Sequence, residues 1–209
     1  MIFAASGEVV AEGHQALRPL EIPAPNRAVH PDDDLWDGVV AAIQEAVAGF
    51  VAAGHEVASI EVMGICIIRC CRALLRADGT LAHPVVNWMD ERLDHPHVHE
   101  DQYGEVSHVT TSSGYIGLRL TGERIDTSAN LIGWWPVDDL TLDWSEDPDR
   151  WTSCNLRRDQ VFDLVRPGER IGGLTAEVAA LLGLPGGLPV VATAHDKAVE
   201  ALGSGALEP

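Results

Sequence analysis

Pro189–Gly205, PVVATAHDKAVEALGSG, decides the fold. It opens with a short β-rich apolar run, Pro189–Thr193, and turns at Ala194-His195-Asp196. It continues through Lys197–Leu202, a helix-forming segment, and stops at Gly203-Ser204-Gly205. A strand that feeds directly into a helix belongs to an α/β domain and puts its turn at the carboxyl edge of a sheet, where such proteins build sites. Asp196 at that turn has two readings. Its carboxylate caps the helix by accepting a first-turn N–H, or it stands at a cleft edge as a general base.

Around this stretch the chain has 209 residues, enough for one sizeable core in one or two domains. Hydrophobic residues make up 46% and charged residues 22%, an ordinary balance for a folded domain. The net charge of −18 argues against nucleic acid and anionic membrane surfaces as partners. It leaves room for a nucleotide, which needs only a local donor cluster and Mg²⁺. No apolar run is expected to reach the length of a membrane span, and no basic leader precedes an apolar core. Of Cys66, Cys70, Cys71 and Cys154, the first three sit in one apolar run, which suits buried reduced thiols in a cytoplasmic protein, and the C-x3-C-C spacing is no recognised zinc pattern.

Earlier in the chain, Ile2–Ala5 and Glu8–Ala11 flank Ser6-Gly7 as a β-hairpin. Pro19, Pro23, Pro25 and Pro31 mark an extended connection. Asp32-Asp33-Asp34 introduces a helix to about Ala53, with Leu35, Val39, Ile43, Val47 and Phe50 facing the core. The three acids read as capping and dipole compensation. Ile60–Ile68 reads as a strand buried on both faces. Asp78-Gly79 turns a second hairpin. His95, His97 and His99 alternate, so an extended segment would put them on one face, as a metal site or a polar junction. Asp126 reads as the cap of a short helix. Trp134, Trp135 and Trp144 are expected to pack the irregular region that follows, and Thr175 caps a helix to Leu184. Neither a G-x-x-x-x-G-K-[ST] loop nor a strand-linked G-x-G-x-x-G occurs.

Taken in order, several short motifs resemble one family. They are Asp33-Asp34 with Trp36, Trp88-x-Asp90-x-Arg92, Leu120-Thr121-Gly122-Glu123, Asp126-Thr127-Ser128-Ala129-Asn130, and the Ala194-His195-Asp196 turn with Ala201-Leu202-Gly203-Ser204-Gly205. The order and spacing resemble the N-terminal domain of FGGY-type carbohydrate kinases, the family of xylulose, glycerol, gluconate and ribulose kinases. That resemblance implies an α/β, actin-like (ribonuclease H-like) domain, with a mixed central sheet and flanking helices, over 1–209. It implies phosphoryl transfer from ATP and Mg²⁺ to a sugar or polyol hydroxyl. Asp196 would be the catalytic base, and Asp90, Arg92, Trp88 and Lys197 would lie on the substrate side. A paired carboxylate and guanidinium can hold sugar hydroxyls by charge-assisted hydrogen bonds, or form an ion pair at a strand end.

The chain also departs from the family pattern. Lys197 stands where Asn or Gln is commoner, and Cys66-Ile67-Ile68-Arg69 replaces a small polar stretch. The phosphate-cradling Asp-x-Gly-Thr loop is missing from these residues, the segment after about residue 93 is shorter, and a C-terminal domain is not included. The domain therefore reads as truncated. Two expectations follow. Asp90, Arg92 and Asp196 should face one cleft, and an unpaired sheet edge should favour self-association into a homo-oligomer. A non-catalytic scaffold or sugar-binding remnant of the family is the alternative reading.

Overall fold

The computed structural model describes residues 1–100 and 103–205. The chain opens with an antiparallel hairpin of β1 (Ile2–Phe3) and β2 (Val9–Ala11), followed by the long helix α1 (Asp34–Ala52). Next come β3 (Met63–Ile65), β4 (Arg72–Leu75) and β5 (Leu81–Val86). Gly79, at φ +87°, takes the left-handed position in the turn between β4 and β5, where the Asp78 carboxylate accepts the Thr80 N–H. The chain continues through β6 (His108–Thr111), α2 (Ser112–Thr121), β7 (Ile125–Thr127), α3 (Ser128–Leu131) and α4 (Pro148–Cys154). It closes with β8 (Asp163–Val165), β9 (Arg170–Gly173), α5 (Ala176–Leu182), β10 (Pro189–Ala192) and α6 (Asp196–Gly203).

Strand β10 is the centre of a mixed sheet, parallel to β3 and antiparallel to β9. A second sheet runs β5-β4-β6, antiparallel throughout, and β7 pairs with β8 in parallel. Strand β4 separates two cores. Ala73 and Leu75 point into the main one, with Trp36, Tyr115, Ile116, Leu120 and Val190, while Leu74 points into a smaller one with Val109, Leu131, Trp135 and Val137. This is the period-2 alternation of a strand buried on both sides. Trp135, Trp144 and Trp151 pack together around the smaller core, as the sequence suggests for Trp135 and Trp144, while Trp134 is exposed. Thr175 caps α5 by accepting the Val178 N–H.

Four local readings need correction. Met63–Ile65 is the strand portion of Ile60–Ile68, and Val62, Gly64 and Cys66 are exposed, because β3 is an edge strand with β10 as its partner. The acids at α1 do not cap it; Asp33, the N-cap residue, makes no side-chain capping bond. They hold distant arginines instead: Arg18 pairs with Asp32 and Asp34, and Arg119 with Asp33, while its guanidinium lies 4.3 Å from the centre of the Trp36 ring. Helix α1 is by length and composition apolar enough to cross a membrane. It nevertheless carries Trp36 into the main core and buries Ala46, Val47 and Phe50, as a core helix does.

The fourth correction is Asp126. It is 1% exposed and accepts hydrogen bonds from Thr110 Oγ1 (2.9 Å), Thr111 Oγ1 (2.8 Å), Ser113 Oγ (2.5 Å) and the Thr127 N–H (2.7 Å). It ties β6, the first turn of α2 and β7 together, a buried charge made tolerable by full hydrogen bonding. Gly114 faces this carboxylate: a methyl there would sit 2.6 Å from Asp126 Oδ2. Gly114→Ala is expected to cost about 1–3 kcal/mol, read as a lower urea midpoint with an unchanged slope. An unaltered midpoint would mean that the network yields easily.

Candidate functional site

Strands β3 and β10 run in register, Met63 beside Val190 and Ile65 beside Ala192, so both end at one edge of the sheet. There Thr193 Oγ1 donates to the Ile65 carbonyl and locks the turn to the neighbouring strand. Helix α6 is capped by His195, whose Nδ1 accepts the Ala198 N–H at 3.3 Å. Asp196 is therefore the first helical residue and not the cap. Its carboxylate, 27% exposed, accepts no hydrogen bond among the described residues. Lys197 Nζ lies 3.8 Å and His195 Nδ1 4.0 Å from it. Lys197 is turned along the helix toward Glu200, 2.8 Å away, and is mostly exposed. The cap is thus supplied by a ring nitrogen, and the cap reading of Asp196 is corrected.

The loop Cys66–Cys71 lies against this turn. The Asp196 N–H donates to the Ile67 carbonyl at 3.4 Å, and Cys70 takes a left-handed conformation at φ +73°. The Cys71 thiol meets the backbone of Trp88, whose indole is about half exposed. Burial raises all three thiols, Cys71 to about 11, and the negative charge of Asp196 adds to the effect at each. They stay protonated at neutral pH and are not poised as nucleophiles. Arg69 donates to the Ile132 carbonyl, while its Nε is buried with no hydrogen-bond partner among the described residues. Thr193 and Arg69 were not singled out from sequence. The signal available for Arg69 was a charge closing an apolar run.

Asp90 and Arg92 sit elsewhere. The Asp90 side chain is fully buried. One oxygen accepts the Arg92 N–H (2.9 Å) and Nε (2.8 Å), and the other accepts a terminal Arg92 nitrogen (2.7 Å) and the Ala28 N–H (2.7 Å). No exposed oxygen is left for a ligand, so Asp90 positions Arg92 and braces the turn that carries Trp88. Arg92 lines a cavity on the Leu74 face of β4, the face away from the main core. Asp196 does not line that cavity, and Asp90 is buried behind it, so this cavity does not bring Asp90, Arg92 and Asp196 together. His95 and His97 line it too, but not on the face of a strand. His97 is buried and tied to α4 by the Cys154 carbonyl, and His99 packs its ring against Tyr103. Among the described residues no group of three or more His, Cys, Asp or Glu is placed to hold a metal.

Burial alone would raise the Asp90 carboxyl, but its hydrogen bonds from Arg92 and Ala28 outweigh that and hold it below the ordinary carboxylate range. A depressed native pKa stabilises the fold above the unfolded value, near 4, and that stabilisation is lost as pH falls through the native value. Asp90→Ala strands a largely buried guanidinium and is expected to cost about 3–5 kcal/mol at neutral pH. Denaturation measured across pH should also show a shallower acid limb in the variant. An identical limb in both proteins would remove Asp90 from the acid response.

No family profile matches the chain. The uncharacterised sugar kinase YgcE of Escherichia coli K12 is 42% identical over 208 residues, covering 100% of this chain and 41% of that protein. Xylulose kinase of the same organism is 32% identical over 111 residues, covering 53% of this chain and 22% of the enzyme. Among solved structures, a xylulose kinase from Brucella ovis superposes with a TM-score of 0.81 at 21% identity, over 99% of this chain and 48% of that one. Gluconate kinase from Lactobacillus acidophilus gives 0.76 at 16% identity, over 92% and 44%. The chain thus spans less than half the length of these relatives and shares their actin-like fold. By sequence its homologues are sugar kinases, and by fold its neighbours are carbohydrate kinases of the FGGY type, each matched over less than half its length.

Proposed function

We propose that the chain carries the acceptor side of an ATP-dependent carbohydrate kinase, with Asp196 as the base that orients a sugar or polyol hydroxyl. One observation carries this reading. At the strand-to-helix turn the capping duty falls to His195, leaving a partly exposed carboxylate with no hydrogen-bond donor among the described residues. A base must reach the hydroxyl it activates, and a capping carboxylate has that capacity already spent. Trp88 offers an exposed aromatic face beside the same loop, suited to the apolar face of a sugar. Asp90 and Arg92 act behind it by fixing its turn, and Lys197 balances charge at the rim.

ATP and Mg²⁺ enter through kinship. No phosphate-cradling motif occurs in these 209 residues, and no residue here is assigned to either. Phosphoryl transfer depends on an in-line phosphate, and positioning of that kind accounts for about 7–11 kcal/mol of barrier reduction. The 209-residue chain alone is therefore expected to show no ATP-dependent phosphorylation of pentuloses, hexuloses or polyols. Turnover that disappears in Asp196→Ala would keep the base and overturn the incomplete phosphate side. Turnover that persists in Asp196→Ala would reject the base. A cytoplasmic setting is part of this proposal, in keeping with four free cysteines.

A scaffold role has one observation in its favour. Strand β3 pairs with β10 alone, and its other edge has no strand partner among the described residues. An open edge next to exposed Val62 favours association through backbone hydrogen bonds. Sedimentation velocity is expected to show concentration-dependent self-association despite the net charge of −18. A single monomeric boundary at high concentration would contradict it.

A further inference from the structure

A cavity of about 430 Å³ lies on the Leu74 face of β4, between that strand and residues 91–100 with Tyr103. Its walls bring three arginines together on a chain of net charge −18, Arg27, Arg72 and Arg92, and the rings of His95 and His97 line it too. The three arginines differ in state. Arg27 is engaged by Glu91 at 3.4 Å and Glu100 at 3.1 Å. Arg92 is held by Asp90 and by the Tyr103 hydroxyl at 2.6 Å. The backbone of Arg72, the first residue of β4, lies in the sheet opposite Val86 and Thr111, but its guanidinium makes no hydrogen bond or ion pair with any described residue. Burial, with a smaller part from the charge of Arg92, weighs against its charged form and outweighs the favourable pull of Tyr103, Cys154 and Asp90. A guanidinium does not escape by losing its proton. A largely buried, unpaired charge is costly, and the cavity leaves room for the group that would pair it.

We infer that this cavity is an anion site, in which Arg72 receives the carboxylate or phosphate of a small polar metabolite bridged to Arg92. The planar guanidinium fork matches either oxyanion by two parallel hydrogen bonds. The volume exceeds that of a bare ion and suits a ligand of sugar size. His97 supports the assignment. Burial first, and Arg72 next, hold it down at about 4, so it enters neutral and offers a ring N–H without adding charge. Glu91 and Glu100, more exposed and held to Arg27, disfavour an anion at the mouth; Glu100 also stands 3.9 Å from Arg92, so Arg72 is the principal receptor and Arg92 the bridging partner. The site is separate from Asp196 and stands or falls apart from the kinase reading.

Isothermal titration of the 209-residue chain with inorganic phosphate, D-gluconate, glucose 6-phosphate and neutral glucose tests this. At least one anion should bind while glucose does not, with affinity falling as ionic strength rises. Gluconate alone would assign a sugar acid, and the phosphate compounds alone a phosphoester. Arg72→Gln should weaken binding by about tenfold or more, the worth of a charged hydrogen bond. Arg72→Lys should recover part of it, and Asp196→Asn should leave it unchanged. Proton NMR of wild-type His97 supplies a readout that does not depend on variants folding, since its titration should move upward when the anion binds. Absence of binding by every anion, equal binding of glucose, or an Arg72→Gln affinity matching the wild type would each overturn the site.

Discussion

The acceptance of the Ala198 N–H by the His195 ring is the contact on which the functional geometry depends. Helix N-termini carry unsatisfied N–H groups, and a nearby Asp ordinarily supplies an acceptor. Here the preceding histidine does so from an extended backbone, φ −70° and ψ 164°. Asp196 becomes the first helical residue, near the positive end of the helix, with an uncommitted carboxylate. The turn that presents it is fixed from two sides, by Thr193 on the Ile65 carbonyl and by the Asp196 N–H on Ile67. A base on such a turn is positioned by backbone geometry rather than by a flexible loop.

Behind that edge the domain spends two buried carboxylates and one half-buried one on rigidity. Asp126 joins β6, α2 and β7, Asp90 joins Arg92 to the backbone at Ala28, and Asp33 joins Arg119 and Tyr115 to the start of α1. Each carboxylate has several donors, the condition under which a buried charge is tolerable. These contacts hold the two faces of β4 in place. One face carries the main core toward Asp196, and the other carries the arginine-lined cavity. The strand is thus a partition between two chemical environments.

The β10–α6 turn, both hairpins, α1 and the Thr175 cap were legible because each is encoded by neighbours in sequence. The errors share a physical origin in long-range partners. Asp33 is 86 residues from Arg119 and Asp34 is 16 from Arg18, so a local reading could only assign the acids to the helix dipole. Ile60–Ile68 is apolar enough for a central strand, yet only three residues pair, because burial depends on what covers the edge. Trp88-x-Asp90-x-Arg92 was found by its spacing, but spacing says nothing about which face of β4 the arginine takes. Arg72 gave no signal at all, since its importance lies in lacking a partner.

The central claim is that a sugar or polyol seats against Asp196. Amide and indole NMR of the chain during titration with pentuloses and polyols tests it most directly. The account predicts shifts confined to Ile67–Cys70, Thr193–Lys197 and the Trp88 indole, reduced in Asp196→Asn. Shifts centred on other residues, or none for any sugar or polyol, would contradict it.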